Sequence, residues 1–225
     1  VPAAGFDITK TESYKTGHII IQDKASCMPA FVLAPPPGSV VVDACAAPGN
    51  KTSHLAALMG NKGQIFAFER DARRFETLKQ LTTKAGCTII TPHHADFLTL
   101  NPLAPEYAQV EYALVDPSCS GSGILKSHER SGEAVDRERL KSLANFQAQI
   151  IKHALQFPRL KRLVYSTCSV HEEENEAVVK EILDTVPNVK LVESPLPSWP
   201  RRGLGHYDFA QHVIRADPNS DGTHG

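Results

Sequence analysis

Short apolar runs alternate with amphipathic stretches along most of the chain. The runs are rich in β-branched residues, which is typical of strands that are buried on both faces of a sheet. The clearest runs lie at 40–42, 65–68, 88–90, 112–115 and 163–165. Weaker candidates follow at 189–192 and 212–214. The pattern therefore predicts five strands and, with the weaker pair, seven.

Helical patterns fill the intervals between these runs. We predict helices at roughly 50–60, 71–85, 133–157 and 171–186. In the third of them, apolar residues recur three or four positions apart, at Leu140, Leu143, Phe146, Ile150 and Ala154. Strands that alternate with helices require crossover connections, which favour a mainly parallel sheet with helices on both faces. We therefore predict an α/β protein that binds ligands at the carboxyl ends of its strands.

A turn of small residues follows the first predicted strand. It reads Asp43-Ala44-Cys45-Ala46-Ala47-Pro48-Gly49-Asn50-Lys51-Thr52 and leads into a predicted helix. Small side chains let a ligand approach the backbone, and a helix N-terminus favours an anionic group. The turn is not a phosphate loop, because Asn50 separates Gly49 from Lys51 where that motif has Gly next to Lys. It does not have the GxGxxG pattern either. A plain strand-to-helix turn is the alternative interpretation.

Acids also follow the second and third strands. Glu69 is suited to accept hydrogen bonds from the hydroxyls of a ribose, and Asp71 fits the N-cap of the next helix. The third strand is followed by His93-His94-Ala95-Asp96. Adjacent histidines point apart and no third ligand is evident, so we predict no metal site. Asp96 is a candidate contact for the amino group of an adenine.

The fourth and fifth strands each end near a cysteine. Their sequences are Asp116-Pro117-Ser118-Cys119 and Tyr165-Ser166-Thr167-Cys168. Because parallel strands end at one rim of the sheet, both thiols are expected beside the turn after the first strand. Ser169 and Glu172 have the spacing of a capping box, which predicts a helix that opens near Val170. The positive end of that helix favours a Cys168 thiolate, and the neighbouring glutamates oppose it.

Composition excludes several classes of protein. The chain has 225 residues, of which 41% are apolar and 22% charged, so global disorder is excluded. No apolar run reaches the roughly 18 residues of a membrane helix. The five cysteines are odd in number and lack CxxC spacing, so we expect reduced thiols. The net charge of −1 requires any RNA-binding surface to be local. Candidate basic groups are Lys126, Arg130, Arg137, Arg139 and Lys141, then Arg159, Lys161 and Arg162, then Arg201-Arg202.

Together these residues make the chain resemble the Sun-domain (bacterial Fmu-like) RNA cytosine-5 methyltransferases, in particular a eukaryotic member. The similar segments are 17–26, the turn after the first strand, Asp116–Gly123 and Thr167-Cys168-Ser169, within roughly 17–179. The resemblance implies a Rossmann-like S-adenosylmethionine-dependent methyltransferase fold with a mainly parallel seven-stranded sheet. The chain departs from the family pattern twice. Asn50 replaces the second of two glycines, and Pro117 stands one place early.

The resemblance also implies covalent catalysis. It assigns the attack on carbon 6 of cytosine to Cys168 and the release of the enzyme to Cys119, although the residues alone leave either thiol as the nucleophile. Asp116 is placed to bind the cytosine edge, and Lys51 to orient that site. The cofactor would be S-adenosyl-L-methionine. Its implied contacts are Asp43, Cys45, Ala46, Ala47, Pro48, Gly49, Asn50, Lys51, Glu69, Arg74, Asp96 and Asp116.

The resemblance implies an RNA substrate, ribosomal rather than transfer RNA, and therefore a protein of the nucleolus within the nucleus. It also implies a monomer that does not associate with a membrane. Two alternatives stay open: a nucleotide-dependent oxidoreductase, and an inactive RNA-binding scaffold with the same fold. We predict an N-terminal helical extension over 1–38 that packs on the core, a catalytic domain over 39–217 and a flexible tail over 218–225. Because Val1 is not a methionine, we interpret the sequence as part of a longer chain.

Overall fold

A five-stranded parallel sheet organises the part of the chain that the structure describes. The computed structural model describes residues 6–124, 136–193 and 196–225. The strands are β1 (Val40–Asp43), β2 (Gln64–Glu69), β3 (Ile90–His94), β4 (Tyr112–Val115) and β5 (Arg162–Tyr165), in the order β3-β2-β1-β4-β5. The strand order reverses between β1 and β4. Such a reversal opens a crevice at the carboxyl ends of the two strands, where ligands bind in folds of this kind.

Six helices accompany the strands in the described ranges. They are α1 (Glu12–Lys15), α2 (Lys24–Leu33), α3 (Asn50–Leu58), α4 (Ala72–Lys84), α5 (Arg137–Ala154) and α6 (Glu176–Thr185). Single 3-10 turns lie at Ile8–Lys10, Phe97–Thr99, Pro105–Tyr107, Glu172–Glu174 and Ala210–His212.

Successive side chains of each strand enter two apolar layers, one on each face of the sheet. Val41 and Leu114 pack in one layer with α2 and α3. Val42 and Ala113 pack in the other with α5 and α6. Each fully buried side chain of this size contributes about 1.5–3 kcal/mol. The predicted α/β architecture, with helices on both faces of a parallel sheet, is confirmed.

The predicted strand count was wrong, because the described residues form five strands rather than seven. At 189–192 no strand forms: Val189 packs against the core, but Val192 is 53% exposed. At 212–214 a single bridge joins Arg202 to Ile214. The third strand lies later than predicted, at Ile90–His94, because the His93 ring packs against Phe68 as an apolar residue would.

The helix predicted to open near Val170 was also placed wrongly. A 3-10 turn occupies Glu172–Glu174, and α6 begins only at Glu176. The Glu172 carboxylate binds the Tyr207 hydroxyl at 2.7 Å instead of reaching back to form a capping box. Cys168 is therefore not adjacent to a helix N-terminus, and the helix dipole does not explain its reactivity.

The ends of the described chain contact each other beside the sheet. Ala30 and Leu33 of α2 are fully buried in the core. Thr223 accepts a hydrogen bond from the Ala25 amide at 2.7 Å, and Lys24 donates to the Asp221 carbonyl at 2.8 Å. The segment predicted as a flexible tail thus makes specific contacts, while the division into domains stays a prediction. Within the described ranges, every helix is too short or too polar to cross a membrane.

Candidate active site

Asp43 ends β1 at the base of the crevice and is almost completely buried. Its Oδ2 accepts a hydrogen bond from Thr52 Oγ1 at 2.7 Å. Its Oδ1 is also buried and has no hydrogen-bond partner among the described residues. Burial raises the pKa of Asp43 to about 7, and the nearby Asp116 adds to the shift. A buried acceptor without a donor fits a ligand that supplies one.

Gly49 shapes the turn after Asp43. Its φ is +110°, and a Cβ there would lie 3.1 Å from Leu78 Cδ1 and 3.3 Å from Thr82 Cγ2. Asn50 is already the first residue of α3 and does not adopt a positive φ. Asn50, which replaces the family's second glycine, therefore causes no backbone strain in the turn. A small cavity of about 70 Å³ adjoins the turn and is lined by residues that include Ser26, Cys45, Lys51 and Asp116.

Glu69 ends β2 and is buried. Its Oε1 accepts a hydrogen bond from the Asp71 amide at 2.8 Å. Arg74 lies 3.6 Å from Oε2 and donates to the Ala47 carbonyl at 2.7 Å, which ties the second strand end to the first turn. Asp71 accepts from the Arg74 amide at 2.9 Å, so the predicted N-cap is confirmed. A carboxylate accepts up to about four hydrogen bonds, which leaves Glu69 capacity for hydroxyl groups.

Asp96 and the histidine pair lie farther along the rim. Asp96 caps the next 3-10 turn by accepting from the Leu98 amide at 3.0 Å. The two rings point apart as predicted: His93 stacks on Phe68 at 4.8 Å and His94 on Phe75 at 5.1 Å. Across the described ranges, no three His, Cys, Asp or Glu side chains form a cluster that could hold a metal ion.

Asp116 is held from two sides. Lys51 Nζ lies 2.8 Å from its Oδ2, across the crevice between β1 and β4. Ser166, directly after β5, donates to its Oδ1 at 2.6 Å. Ser166 was not among the residues selected from the sequence. Its position immediately after the fifth predicted strand was a signal that could have found it.

The two thiols meet at the same rim, with 3.1 Å between the Sγ atoms of Cys119 and Cys168. The hydrogen bond from the Cys119 thiol lowers the pKa of Cys168; burial and Asp116 oppose this shift and Lys51 supports it. The same contact, together with burial, raises the pKa of Cys119. Within the pair, ionisation is therefore easier at Cys168 than at Cys119.

The other three cysteines differ from Cys168. Burial raises the pKa of Cys27, Cys45 and Cys87. All five cysteines lie within the described ranges and are free thiols. Cys168 is therefore the one cysteine of the chain whose surroundings favour the thiolate, which is the nucleophilic form.

Hydrogen bonds lock the two cysteine loops together. The Ser169 hydroxyl lies 3.1 Å from that of Ser120 and 3.3 Å from that of Ser122. The Gly123 amide donates to the Cys168 carbonyl at 2.9 Å. The early proline at position 117 therefore leaves Cys119 on the rim beside Cys168.

A cleft of about 810 Å³ opens beside β5 and reaches Lys51, Asp116 and Cys168 at the rim. Not all basic residues near this region are available to RNA. Arg201 pairs with Asp221 at 2.8 Å, so this candidate for phosphate binding is engaged within the protein. The candidates Arg137, Arg139 and Lys141 are exposed on α5, whereas Lys126 and Arg130 lie outside the described residues.

Comparisons with known proteins identify the family of the chain. Residues 30–224 match the family model described as 16S rRNA methyltransferase RsmB/F. The mouse 28S rRNA (cytosine-C(5))-methyltransferase is 50% identical over 221 residues, which cover 97% of this chain and 48% of that protein. The chain thus spans about half the length of the curated relatives it matches.

Solved structures show the same architecture. The crystal structure of PH0851 superposes with a TM-score of 0.81 and 32% identity, covering 98% of this chain and 48% of that one. The crystal structure of NSun6 from Pyrococcus horikoshii with SFG superposes with a TM-score of 0.80 and 26% sequence identity. The match covers 97% of this chain and 54% of that chain. The predicted Rossmann-like methyltransferase fold is confirmed, with five described strands in place of seven. The predicted resemblance is confirmed as well, and the chain belongs to the RsmB/F family of rRNA methyltransferases.

Proposed function

We propose that this chain forms the catalytic part of an S-adenosyl-L-methionine-dependent enzyme that methylates carbon 5 of cytosine in large-subunit ribosomal RNA. The observation that carries the proposal is the pair of thiols of Cys119 and Cys168, 3.1 Å apart at the same rim as Asp116. The name of the mouse relative, a 28S rRNA (cytosine-C(5))-methyltransferase, supports ribosomal over transfer RNA. A ribosomal RNA substrate in turn supports action in the nucleolus.

The residues at the ends of β1 and β2 fit the cofactor. S-adenosyl-L-methionine supplies the methyl group when it is bound. The buried carboxylate of Glu69 suits the hydroxyls of a ribose, and the unpaired Oδ1 of Asp43 suits a donor such as an ammonium group. The related NSun6 structure with SFG supports a bound cofactor in this family. The proposed contacts are Asp43, Cys45, Ala46, Ala47, Pro48, Gly49, Asn50, Lys51, Glu69, Arg74, Asp96 and Asp116.

The first chemical step is the addition of the Cys168 thiolate to carbon 6 of cytosine. A bond forms between Sγ and carbon 6, and the ring electrons make carbon 5 nucleophilic. Asp116 binds the cytosine edge and stabilises a proton that ring nitrogen 3 takes up from solvent as it accepts the displaced electrons. Lys51 and Ser166 keep the Asp116 carboxylate in place for this contact.

The second step breaks the covalent bond. After carbon 5 has received the methyl group, it still carries a proton that has to leave. Once Cys168 is bonded to carbon 6, it no longer accepts the hydrogen bond that raises the pKa of Cys119, and Cys119 loses its own proton to solvent. Cys119 then takes up the proton from carbon 5, and the bond between carbon 6 and Cys168 Sγ breaks as its electrons return to sulfur. The proton on ring nitrogen 3 returns to solvent. A base must leave its stack to reach such a site, so single-stranded or looped RNA is the favoured substrate.

Methyl transfer by the full-length protein tests this proposal. The protein is incubated with large-subunit ribosomal RNA and methyl-labelled S-adenosyl-L-methionine, and modified positions are mapped by bisulfite sequencing. We expect label in 5-methylcytosine, loss of the label with Asp116→Asn, and retention with Cys87→Ala, a cysteine remote from the rim. Label at an atom other than carbon 5 of cytosine, or no label with the wild-type protein, would contradict the proposed activity.

A further inference from the structure

Cys119 lies in a loop without regular secondary structure, so its position depends on contacts from outside the loop. The carbonyl of Ser118 accepts a hydrogen bond from Gln147 Nε2 at 3.1 Å. The amide of Ser120 donates to both carboxylate oxygens of Glu174, at 2.9 and 3.2 Å. Both peptide groups that flank Cys119 are therefore fixed by side chains from elsewhere in the fold.

Glu174 is fully buried at the end of the 3-10 turn before α6. Among the described residues no Lys, Arg or His nitrogen forms an ion pair with it; its carboxylate is held by N–H groups of Ser120 and Gln147. A buried carboxylate without a cation is costly unless it is fully hydrogen-bonded. Hydrogen bonds to an ionised acceptor are also about twice as strong as neutral ones. The charge of Glu174 therefore strengthens the contact that fixes Ser120.

Gln147 orients this network from α5. It is fully buried, and its Oε1 lies 2.9 Å from the hydroxyl of Tyr165 in β5. Because the amide oxygen faces this hydroxyl, Nε2 is turned toward Glu174 and Ser118, at 3.0 and 3.1 Å. The network thus connects the strand that leads to Cys168 with the loop that carries Cys119.

We propose that Glu174 and Gln147 are positioning residues that hold the Cys119 thiol beside Cys168, and that they thereby set the rate at which the enzyme is released from methylated RNA. The role in release rests on the proposed function of Cys119. Without the Glu174 carboxylate, the Ser120 amide keeps at most one neutral acceptor, which holds it more weakly, and the loop moves. Displacement of a reacting group by about 1 Å costs up to roughly a hundredfold in rate.

The test compares Glu174→Gln with Glu181→Gln, a matched variant. Glu181 also joins α5 to α6, through Lys152 at 2.6 Å, but it is half exposed and makes no contact with the Cys119 loop. Full-length protein is examined in single-turnover methylation, by gel assay of the covalent protein–RNA adduct, and by thermal melting. We expect Glu174→Gln to keep the rate of methyl transfer within about threefold of wild type. Release of the enzyme from methylated RNA should slow by about tenfold or more, and the covalent adduct should accumulate, because Cys119 is displaced. Glu181→Gln should behave as wild type.

A second measurement needs no RNA. The Cys119 thiol lowers the pKa of Cys168, so displacement of Cys119 should move the pH profile of Cys168 alkylation by iodoacetamide to higher pH. Glu174→Gln and Cys119→Ala should both show this shift. If folded Glu174→Gln leaves both the alkylation profile and the release rate unchanged, the positioning role is wrong. If the profile shifts but wild type does not methylate RNA, the positioning role stands and the proposed function fails.

Discussion

Lys51 and Asp116 are 65 residues apart in sequence, yet their charged groups meet at 2.8 Å across the crevice between β1 and β4. The contact arises because the strand order reverses at this point, which brings the residues that follow β1 and β4 together. Both side chains are only partly exposed, at 21% and 26%, so water screens the pair incompletely. Lys51 therefore acts on both Asp116 and the Cys168 thiol.

Replacement of Lys51 by methionine should impair chemistry more than binding. Loss of the cation leaves Asp116 without its orienting partner and removes a charge that lowers the pKa of Cys168. We expect kcat to fall by up to about 100-fold, the cost of misplacing a reacting group by about 1 Å, and Cys168 alkylation to shift to higher pH. Rapid-quench kinetics and alkylation profiles measure the two effects. An unchanged alkylation profile would contradict the influence of Lys51 on the thiol.

Glu69→Ala should weaken binding of S-adenosyl-L-methionine. Loss of a charged hydrogen-bond acceptor costs about 1–3 kcal/mol. Titration calorimetry measures the change, with Glu76→Ala as the control, because Glu76 is an exposed residue of α4 that pairs only with Lys79 in the described structure. Equal affinities of folded Glu69→Ala and wild type would show that the cofactor does not contact this carboxylate.

Gly49→Ala should destabilise the turn after β1. At φ +110° a side chain is strained, and the new Cβ would press on Leu78 at 3.1 Å. We expect a loss of about 1–3 kcal/mol in the free energy of unfolding. Gly86→Ala is the control, because Gly86 also has a positive φ, +67°, but a Cβ there meets nothing within 4 Å. In urea denaturation, Gly49→Ala should lower the free energy of unfolding by more than Gly86→Ala does.

Asp43 should make stability depend on pH. Its pKa of about 7 in the folded state exceeds the ordinary value of 3.8 for an aspartate, so the native state binds this proton more tightly than the unfolded state. The contribution is fully present below about pH 4 and is lost as the pH rises through 7. Between pH 4 and 7 we expect it to remove on the order of 3 kcal/mol of stability from the cofactor-free protein. In urea denaturation, Asp43→Asn should show a weaker dependence of the free energy of unfolding on pH than the wild type. An equal pH dependence of the two proteins would contradict a buried, protonated Asp43.

The strand-end residues were predictable because short apolar runs mark buried parallel strands, whose ends converge at one rim. Asp43, Glu69, Asp116 and the two thiols all follow such runs. The weaker strand candidates failed because apolar composition alone does not supply a buried face, as the exposed Val192 shows.

The network around Cys119 was not predictable from local sequence. Glu174 lies within a run of three glutamates, yet it is fully buried. Its partners Ser120 and Gln147 are 54 and 27 residues away, so only tertiary folding reveals the contacts. The polarised thiol pair likewise depends on a 3.1 Å contact between residues 49 positions apart.

The central claim is that Cys168 forms the bond to cytosine and Cys119 enables its release. The most direct measurement is trapping of full-length protein on RNA that contains 5-fluorocytosine, since fluorine at carbon 5 cannot leave as a proton. Wild type and Cys87→Ala should form a stable adduct, and Cys168→Ala should form none. Cys119→Ala should accumulate an adduct even on ordinary cytosine RNA. An adduct that persists in Cys168→Ala but disappears in Cys119→Ala would reverse the two roles, and full activity of both variants would contradict covalent catalysis.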